Sequence, residues 1–199
     1  YTTEGVQESV EFFARNPTLV IVDTEVVANA DERYLVAGIG DAMATWYEAK
    51  VCRANTAAVT PAGARPTLAA YAMSMICAET LYEFGEEAIA AVAESRNNDS
   101  LEKVVEANTL LSGIGFESGG LAMAHPLALA YTRINRVHNN YLHGEIVAIS
   151  TMAQLALEES ADITIYPQYD ADGGVDSERT FVKQIVQKFV DDGSAEDLI

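Results

Sequence analysis

The sequence predicts a mainly α-helical bundle with one short strand segment near its N-terminus. Apolar residues recur at helical spacing through most of residues 30–159, and capping residues, prolines and glycines divide that stretch into segments. Residues 18–23 form a β-branched apolar run between turn signals, which is typical of a strand. Hydrophobic residues make up 49% of the 199 residues, enough for the core of one domain or of one large piece of a bigger protein.

The N-terminal part of the chain is predicted to hold the strand and the first two helices. Residues 1–17 form a short helix or loop, and residues 18–23 form a short buried strand. Asp31 is a suitable N-cap for the first helix. The segment Gly38-Ile39-Gly40 is expected to interrupt this helix, so that Asp41 opens a second helix running to about residue 53.

Prolines, glycines and capping residues mark the remaining helices. Pro66 fits the first turn of a long helix, Gly85 separates that helix from the next, and a loop at 97–100 precedes another helical start. The densest glycine segment, 113–120, is interpreted as close helix–helix packing with a sharp turn. The helices predicted after residue 65 lie at about 66–83, 86–95, 101–111, 121–133, 144–159 and 177–191.

Charge and cysteine content narrow the class of protein. Thirty acidic residues against 12 basic ones give a net charge of −18, which disfavours binding to nucleic acid. The two cysteines, Cys52 and Cys77, lack the spacing of a disulfide framework or a zinc knuckle, which favours a reducing compartment. No apolar run approaches the roughly 20 residues that span a bilayer. We therefore expect a cytoplasmic protein without nucleic-acid or membrane partners.

The three histidines of the chain are the first candidates for chemistry. His125 and His143 lie beside predicted helix boundaries on either side of one connecting segment, and imidazole is the commonest metal-binding side chain. Asp41 is the best carboxylate to complete a three-ligand site, the arrangement of catalytic zinc. His138, beside two asparagines, is expected to be exposed and not a ligand. On spacing alone, surface or core histidines and a helix-capping aspartate remain an open alternative.

Two glycine segments fail the test for a dinucleotide-binding loop. In residues 36–43, Met43 stands where the fingerprint needs glycine, and no acidic residue follows between Arg53 and Tyr71. In residues 113–120 the glycines have the wrong spacing and follow a helix instead of a strand. We therefore expect no NAD-binding loop within these residues.

Five segments occur together in a characteristic order. Among them are the motifs Gly40-Asp41-Ala42, Gly119-Gly120-Leu121-Ala122 before His125, and His143-Gly144-Glu145. In this combination the chain resembles the glycerol dehydrogenase branch of the iron-containing alcohol dehydrogenase family, over about residues 1–159. The matching segments are 16–24, 35–49, 106–113, 115–125 and 143–148.

The resemblance implies a set of metal ligands. In that family the aspartate and the two histidines of these motifs bind a divalent metal, here Asp41, His125 and His143. Members that use iron carry a further histidine where this chain has Thr45, so the resemblance is to the three-ligand zinc branch. Phe116 matches a residue that lines the substrate pocket of the family.

The resemblance also implies a division into domains. Residues 1–24 are expected to be a remnant of, or a link to, a nucleotide-binding domain, and residues 25–159 a helical metal-binding domain of the dehydroquinate-synthase-like fold. Residues 160–199 are an unassigned tail with a predicted helix. Residues 126–130 depart from the family, because Ala128 stands where a further histidine is usual and Pro126 follows His125 directly.

The activity implied by the resemblance is metal-dependent, NAD-linked oxidation of a polyol, glycerol to dihydroxyacetone. The chain is expected to hold one zinc ion, whereas NAD is expected to bind through a nucleotide-binding half that has no counterpart in these residues. A 2-hydroxy acid is the alternative substrate, and a non-catalytic metal-binding or assembly subunit is the alternative function. We expect a homo-oligomer or a partner chain that carries the nucleotide-binding half.

Overall fold

A computed structural model describes residue 13 and residues 15–160, and every regular element in that part of the chain is helical. The mainly α-helical prediction is therefore confirmed. The helix predicted at 177–191 lies outside the described residues. None of the described helices is both long and apolar enough to cross a membrane. The helices are α1 (Thr24–Ala28), α2 (Glu32–Ala54), α3 (Leu68–Ala93), α4 (Asp99–Glu106), α5 (Ser112–Gly119), α6 (Ala124–Tyr131), α7 (Asn135–Asn140) and α8 (His143–Ser160), with a π-helical turn (Ala107–Leu111) between α4 and α5.

The strand predicted at residues 18–23 is wrong. Residues 18–22 have no regular secondary structure, and the side chains of Leu19, Val20 and Ile21 are all exposed. A strand needs a neighbouring strand to accept and donate its backbone hydrogen bonds, and none of the described residues supplies one. Asp23 instead caps α1, because its side chain accepts a hydrogen bond from the backbone N–H of Glu25.

Helix α2 is the central element of the bundle, and it is continuous where a break was predicted. Asp31 caps it as expected, but the helix runs through Gly38 and Gly40 without interruption. Gly38 lies against the π-helical turn, where an added Cβ would be 2.8 Å from Nδ2 of Asn108. Burial of α2 on nearly all sides thus outweighs the roughly 1 kcal/mol that each glycine costs a helix. Asp41 consequently lies in mid-helix and not at a helix start.

Helix α3 is also longer than predicted. Thr67 is its N-cap and accepts a hydrogen bond from the backbone N–H of Ala70, so Pro66 precedes the helix and is not its first residue. Gly85 does not end the helix, because it is buried between segments that pack Leu81, Ala88 and Ile89 into the core. The two helices predicted at about 66–83 and 86–95 are therefore a single helix, α3.

The glycine-rich segment 113–120 packs closely and then turns, as interpreted from the sequence. An added Cβ at Gly115 would overlap the side chains of Thr45 and Ser74, so α5 approaches both α2 and α3 at this point. Gly120 has a φ of +104° and ends α5 in a conformation that other residues rarely adopt. The chain is thereby turned toward α6.

The C-terminal helices form a second apolar cluster beside α2. Helix α6 begins only at Ala124, later than the predicted 121, and the short helix α7 was not predicted. Apolar contacts among α2, α6, α7 and α8 hold α6 and α8, which carry His125 and His143, against α2. The buried members of this cluster are Ala44, Ala124, Ala128, Val137, Tyr141, Ile146 and Val147.

Candidate metal centre

The N-terminus of α8 lies directly against α2, one turn before Asp41. A Cβ added at the buried Gly144 would overlap the carbonyl oxygen of Ala37, so only glycine permits this approach. Ala37 and Asp41 lie one helical turn apart on the same face of α2. His143, the first residue of α8, is thereby brought next to Asp41.

The three residues singled out as candidate ligands lie together in space. Nε2 of His125 is 3.2 Å from Oδ1 of Asp41, and Nε2 of His143 is 3.9 Å from the same oxygen. The centroids of the two imidazole rings are 5.9 Å apart. One potential ligand atom from each of the three residues lies within 4.8 Å of the other two. Helices α2, α6 and α8 thus each contribute one donor to the same point.

This arrangement fits a divalent cation with a preference for nitrogen and oxygen donors. Two imidazoles and one carboxylate form a donor set of catalytic zinc sites, which leave a further position open. Bonds of about 2.0–2.2 Å to a tetrahedral ion place its donors roughly 3.3–3.6 Å apart. The separations of 3.2 Å and 3.9 Å between Asp41 and the histidines bracket that range. Asp41 and His143 are partly exposed, with side-chain exposures of 37% and 40%, so the cluster is open to solvent on one side.

Glu48 is a site residue that the sequence analysis missed. It is fully buried on α2, and Oε2 of its carboxylate lies 2.5 Å from Nδ1 of His125. Oε1 accepts hydrogen bonds from the backbone N–H groups of Ala122 and His125, at 3.0 Å and 3.1 Å. A signal was available, since residues 41 and 48 lie about two turns apart on one face of a helix. Such pairs are common in helices, so the spacing alone does not single out Glu48.

Gln154 of α8 fixes the neighbouring part of the same segment. Its Oε1 accepts hydrogen bonds from the backbone N–H groups of Met123 and Ala124, both at 3.0 Å. The first N–H groups of a helix have no partner within that helix. Glu48 and Gln154 supply these partners for α6, and they tie its N-terminus to α2 and α8. The backbone around His125 is therefore held from two sides.

The surroundings of His125 favour a positive charge at this position. Burial by itself lowers the pKa of the imidazole, but the hydrogen bonds to Asp41 and Glu48 and the charges of these two carboxylates outweigh it. The net effect raises the pKa of His125 to about 9. In the metal-free protein at neutral pH, His125 therefore binds a second proton and is positively charged. A metal ion bound by His125 would have to displace that proton.

Comparison with known proteins identifies relatives of the chain. No family profile matches the chain. The glycerol dehydrogenase of Thermotoga maritima is 49% identical over 159 residues, which are 80% of this chain and 43% of that protein. The crystal structure of glycerol dehydrogenase from Schizosaccharomyces pombe superposes with a TM-score of 0.81 at 31% identity, covering 98% of this chain and 48% of that one. The chain is homologous to the glycerol dehydrogenases.

A further relative is named for a different activity. In each of these relatives, the chain matches only part of the protein. The glycolaldehyde reductase of Halobacterium salinarum is 44% identical over 165 residues, 83% of this chain and 45% of that protein. The chain thus spans less than half the length of the curated relatives it matches. Its helices correspond to the helical C-terminal domain of the glycerol dehydrogenase structures.

The other residues named from the sequence lie at different distances from the cluster. Phe116 of α5 packs edge-on against His125, with ring centroids 5.4 Å apart. The buried Thr45 contacts α5 through a hydrogen bond of 3.0 Å between its hydroxyl and that of Ser112, so it does not join the cluster. His138 lies on α7 and is not one of the three clustered residues; it is partly buried, whereas an exposed side chain was expected. Its exclusion as a ligand stays a prediction, as does a substrate contact for Phe116.

Proposed function

We propose that this chain supplies the metal centre of an NAD-linked polyol dehydrogenase that oxidises glycerol to dihydroxyacetone. The observation that carries the proposal is the convergence of Asp41, His125 and His143 from three separate helices. The resemblance to glycerol dehydrogenases implied these three residues as the metal ligands of this chain. They come together in a chain that is homologous to those enzymes.

The donor set favours zinc as the bound ion. When bound, zinc supplies a Lewis acid that lowers the pKa of an alcohol hydroxyl and stabilises the developing negative charge on its oxygen. Asp41, His125 and His143 hold the ion, while the ring of Phe116 provides an apolar wall beside His125. The hydride acceptor, NAD, is bound outside the described residues. A polyol suits this arrangement because it would offer a hydroxyl oxygen to the side of the cluster that is open to solvent.

The names of the relatives define the panel of substrates to be assayed. Most of the relatives compared are named glycerol dehydrogenases, but the Halobacterium relative is named for glycolaldehyde reduction. Both substrates carry a hydroxyl next to an oxidisable or reducible carbon. The panel therefore includes glycerol, other vicinal diols, glycolaldehyde in the reductive direction, and 2-hydroxy acids.

The test is to fuse this chain behind the nucleotide-binding half of the Thermotoga maritima glycerol dehydrogenase and to load the fusion with zinc. We expect about one zinc per chain by elemental analysis, and NAD reduction with glycerol. His143→Ala should remove bound zinc and abolish turnover, because one of the three donors is lost. His138→Ala is the matched control, since it removes a histidine outside the cluster, and it should leave both unchanged.

Two results would contradict this function. No zinc after loading would refute the metal centre itself. Zinc bound without turnover across the panel would favour a non-catalytic metal-binding or assembly subunit.

A further inference from the structure

We propose that Glu48 is a positioning residue for the metal centre, whose carboxylate holds the Nδ1–H tautomer of His125 and so directs the Nε2 lone pair toward the cation. The inference rests on the function proposed above, because it concerns the same site. It adds a residue that does not itself touch the metal or the substrate.

The hydrogen bonds of Glu48 determine which nitrogen of His125 carries the proton. An ionised carboxylate only accepts hydrogen bonds. Oε1 of Glu48 is occupied by the backbone N–H groups of Ala122 and His125, and Oε2 faces Nδ1 of His125 at 2.5 Å. A neutral imidazole has a single N–H, so a proton on Nδ1 leaves Nε2 with a free lone pair. Nε2 is the atom that faces Asp41.

The opposite tautomer is unfavourable in this position. It would set the lone pair of Nδ1 against Oε2 of Glu48, whose side chain is fully buried. An acceptor buried without a donor costs roughly 1–3 kcal/mol, and more for a charged group. It would also aim the Nε2–H of His125 at the cation. The buried carboxylate therefore selects the binding-competent form of the ring.

The charges of the site agree with this role. Asp41 and Glu48 together carry two negative charges on opposite sides of the His125 ring. A divalent cation at the cluster balances them, and the carboxylate behind the ring increases the basicity of Nε2. Glu48 would then act on the metal through the imidazole and not by contact.

A purely structural role for Glu48 is the rival explanation, since it also fastens the backbone at Ala122 and His125. Gln154 provides the comparison, because it fastens Met123 and Ala124 in the same segment without touching the imidazole. Loss of Gln154 therefore loosens the segment but leaves the Nδ1 contact in place. If Glu48 acts through the imidazole ring, its replacement should lower zinc affinity more than replacement of Gln154. If it acts only through the backbone, its replacement should not have the larger effect.

The experiment measures zinc affinity of the full 199-residue chain by competition with a chromophoric chelator, for wild type, Glu48→Gln and Gln154→Ala. Glu48→Gln keeps an oxygen for the two backbone N–H groups but presents an amide N–H₂ to Nδ1. We expect its zinc affinity to fall 10–100-fold with unchanged helical circular dichroism. Gln154→Ala should cause a smaller loss. Long-range ¹H–¹⁵N spectra of zinc-loaded wild type should show His125 protonated at Nδ1 and metal-bound at Nε2.

The outcomes separate this inference from the proposed function. If wild type binds no zinc, the metal centre fails, and this inference fails with it. If wild type binds zinc and Glu48→Gln binds it equally well, or Gln154→Ala loses more, the inference alone is overturned. If Glu48→Gln does not fold, the wild-type spectra decide, and a zinc-bound Nδ1 with the proton on Nε2 would refute the positioning role.

Discussion

At the scale of single residues, the site depends on one histidine held between two carboxylates. His125 contacts Asp41 through Nε2 and Glu48 through Nδ1, so both ring nitrogens face negative charge. The side chain of His125 is only 13% exposed, and solvent therefore screens these contacts weakly. A positive charge on the ring, or a cation beside it, stabilises the folded protein. Its absence leaves two carboxylates close to a neutral ring.

This arrangement predicts a pH-dependent stability of the metal-free protein. The pKa of His125 is raised from 6.5 to about 9 in the folded state, so the folded protein holds the proton more tightly than the unfolded chain. The resulting stabilisation is fully present below pH 6.5 and is lost as pH rises through 9. It amounts to about 3 kcal/mol, at roughly 1.4 kcal/mol per pKa unit.

Urea unfolding of chelator-treated protein at pH 6.5 and pH 9.5 measures this loss. His125→Asn is the control, because asparagine does not titrate and other groups affect both proteins alike. The difference between wild type and variant should shrink by about 3 kcal/mol from the lower to the higher pH. An equal pH dependence in the two proteins would show that His125 does not gain its proton on folding.

The ligand candidates were named from the sequence, whereas Glu48 was not, and the reason is physical. Asp41, His125 and His143 stand in motifs that carry their chemistry in residue type and order. Glu48 stands in an ordinary helical stretch where a glutamate is usually solvated. Only its burial against α6 distinguishes it, and this burial arises from packing between residues 74 and 77 positions apart in the chain.

At the scale of helices, local signals predicted the helix starts better than the helix interiors. Asp31 and the loop before α4 were identified because a cap acts within a few residues. Gly38, Gly40 and Gly85 were expected to break helices and do not. Their effect depends on neighbours distant in sequence, and burial of the surrounding side chains offsets the intrinsic cost of glycine. The strand prediction for residues 18–23 was wrong for a related reason, because a strand also depends on a partner strand distant in sequence.

The glycine in the second histidine motif has a specific role at this scale. Gly144→Ala would place a methyl group on the carbonyl oxygen of Ala37, a backbone atom that cannot rotate away. We expect the start of α8 to shift from α2 and to carry His143 away from Asp41. The free energy of unfolding should fall by roughly 1–3 kcal/mol, the usual cost of overpacking, and zinc affinity should fall as well.

Gly113→Ala is the matched control for that change. Gly113 is an exposed glycine within α5, and an added Cβ there meets no atom within 4 Å. The substitution should stabilise the helix by roughly 0.5–1 kcal/mol and leave zinc affinity unchanged. Urea unfolding and chelator competition on both variants provide the comparison. Wild-type stability and zinc affinity in Gly144→Ala would contradict the close approach of α8 to α2.

At the scale of the whole molecule, the described residues bring together candidate metal ligands but contain no pattern typical of a nucleotide site. The three candidate ligands come from α2, α6 and α8, so the centre forms only when the bundle is folded. A dinucleotide site needs a strand, a glycine-rich turn and the free N–H groups at the start of a helix. The described residues contain no strand, and the glycines at 38, 40, 113, 115 and 119 all lie inside helices.

We therefore predict that the chain alone does not bind NAD measurably. The N–H groups of Gly38 and Gly40 lie inside α2 and donate to its own carbonyl oxygens, so they cannot cradle a pyrophosphate. Isothermal titration of the zinc-loaded 199-residue chain with NAD should give no heat of binding, whereas the fusion with a nucleotide-binding half should bind it. Micromolar binding by the chain alone would place a nucleotide site within these residues. The hydride acceptor would then not have to come from another part of the enzyme or from a second polypeptide.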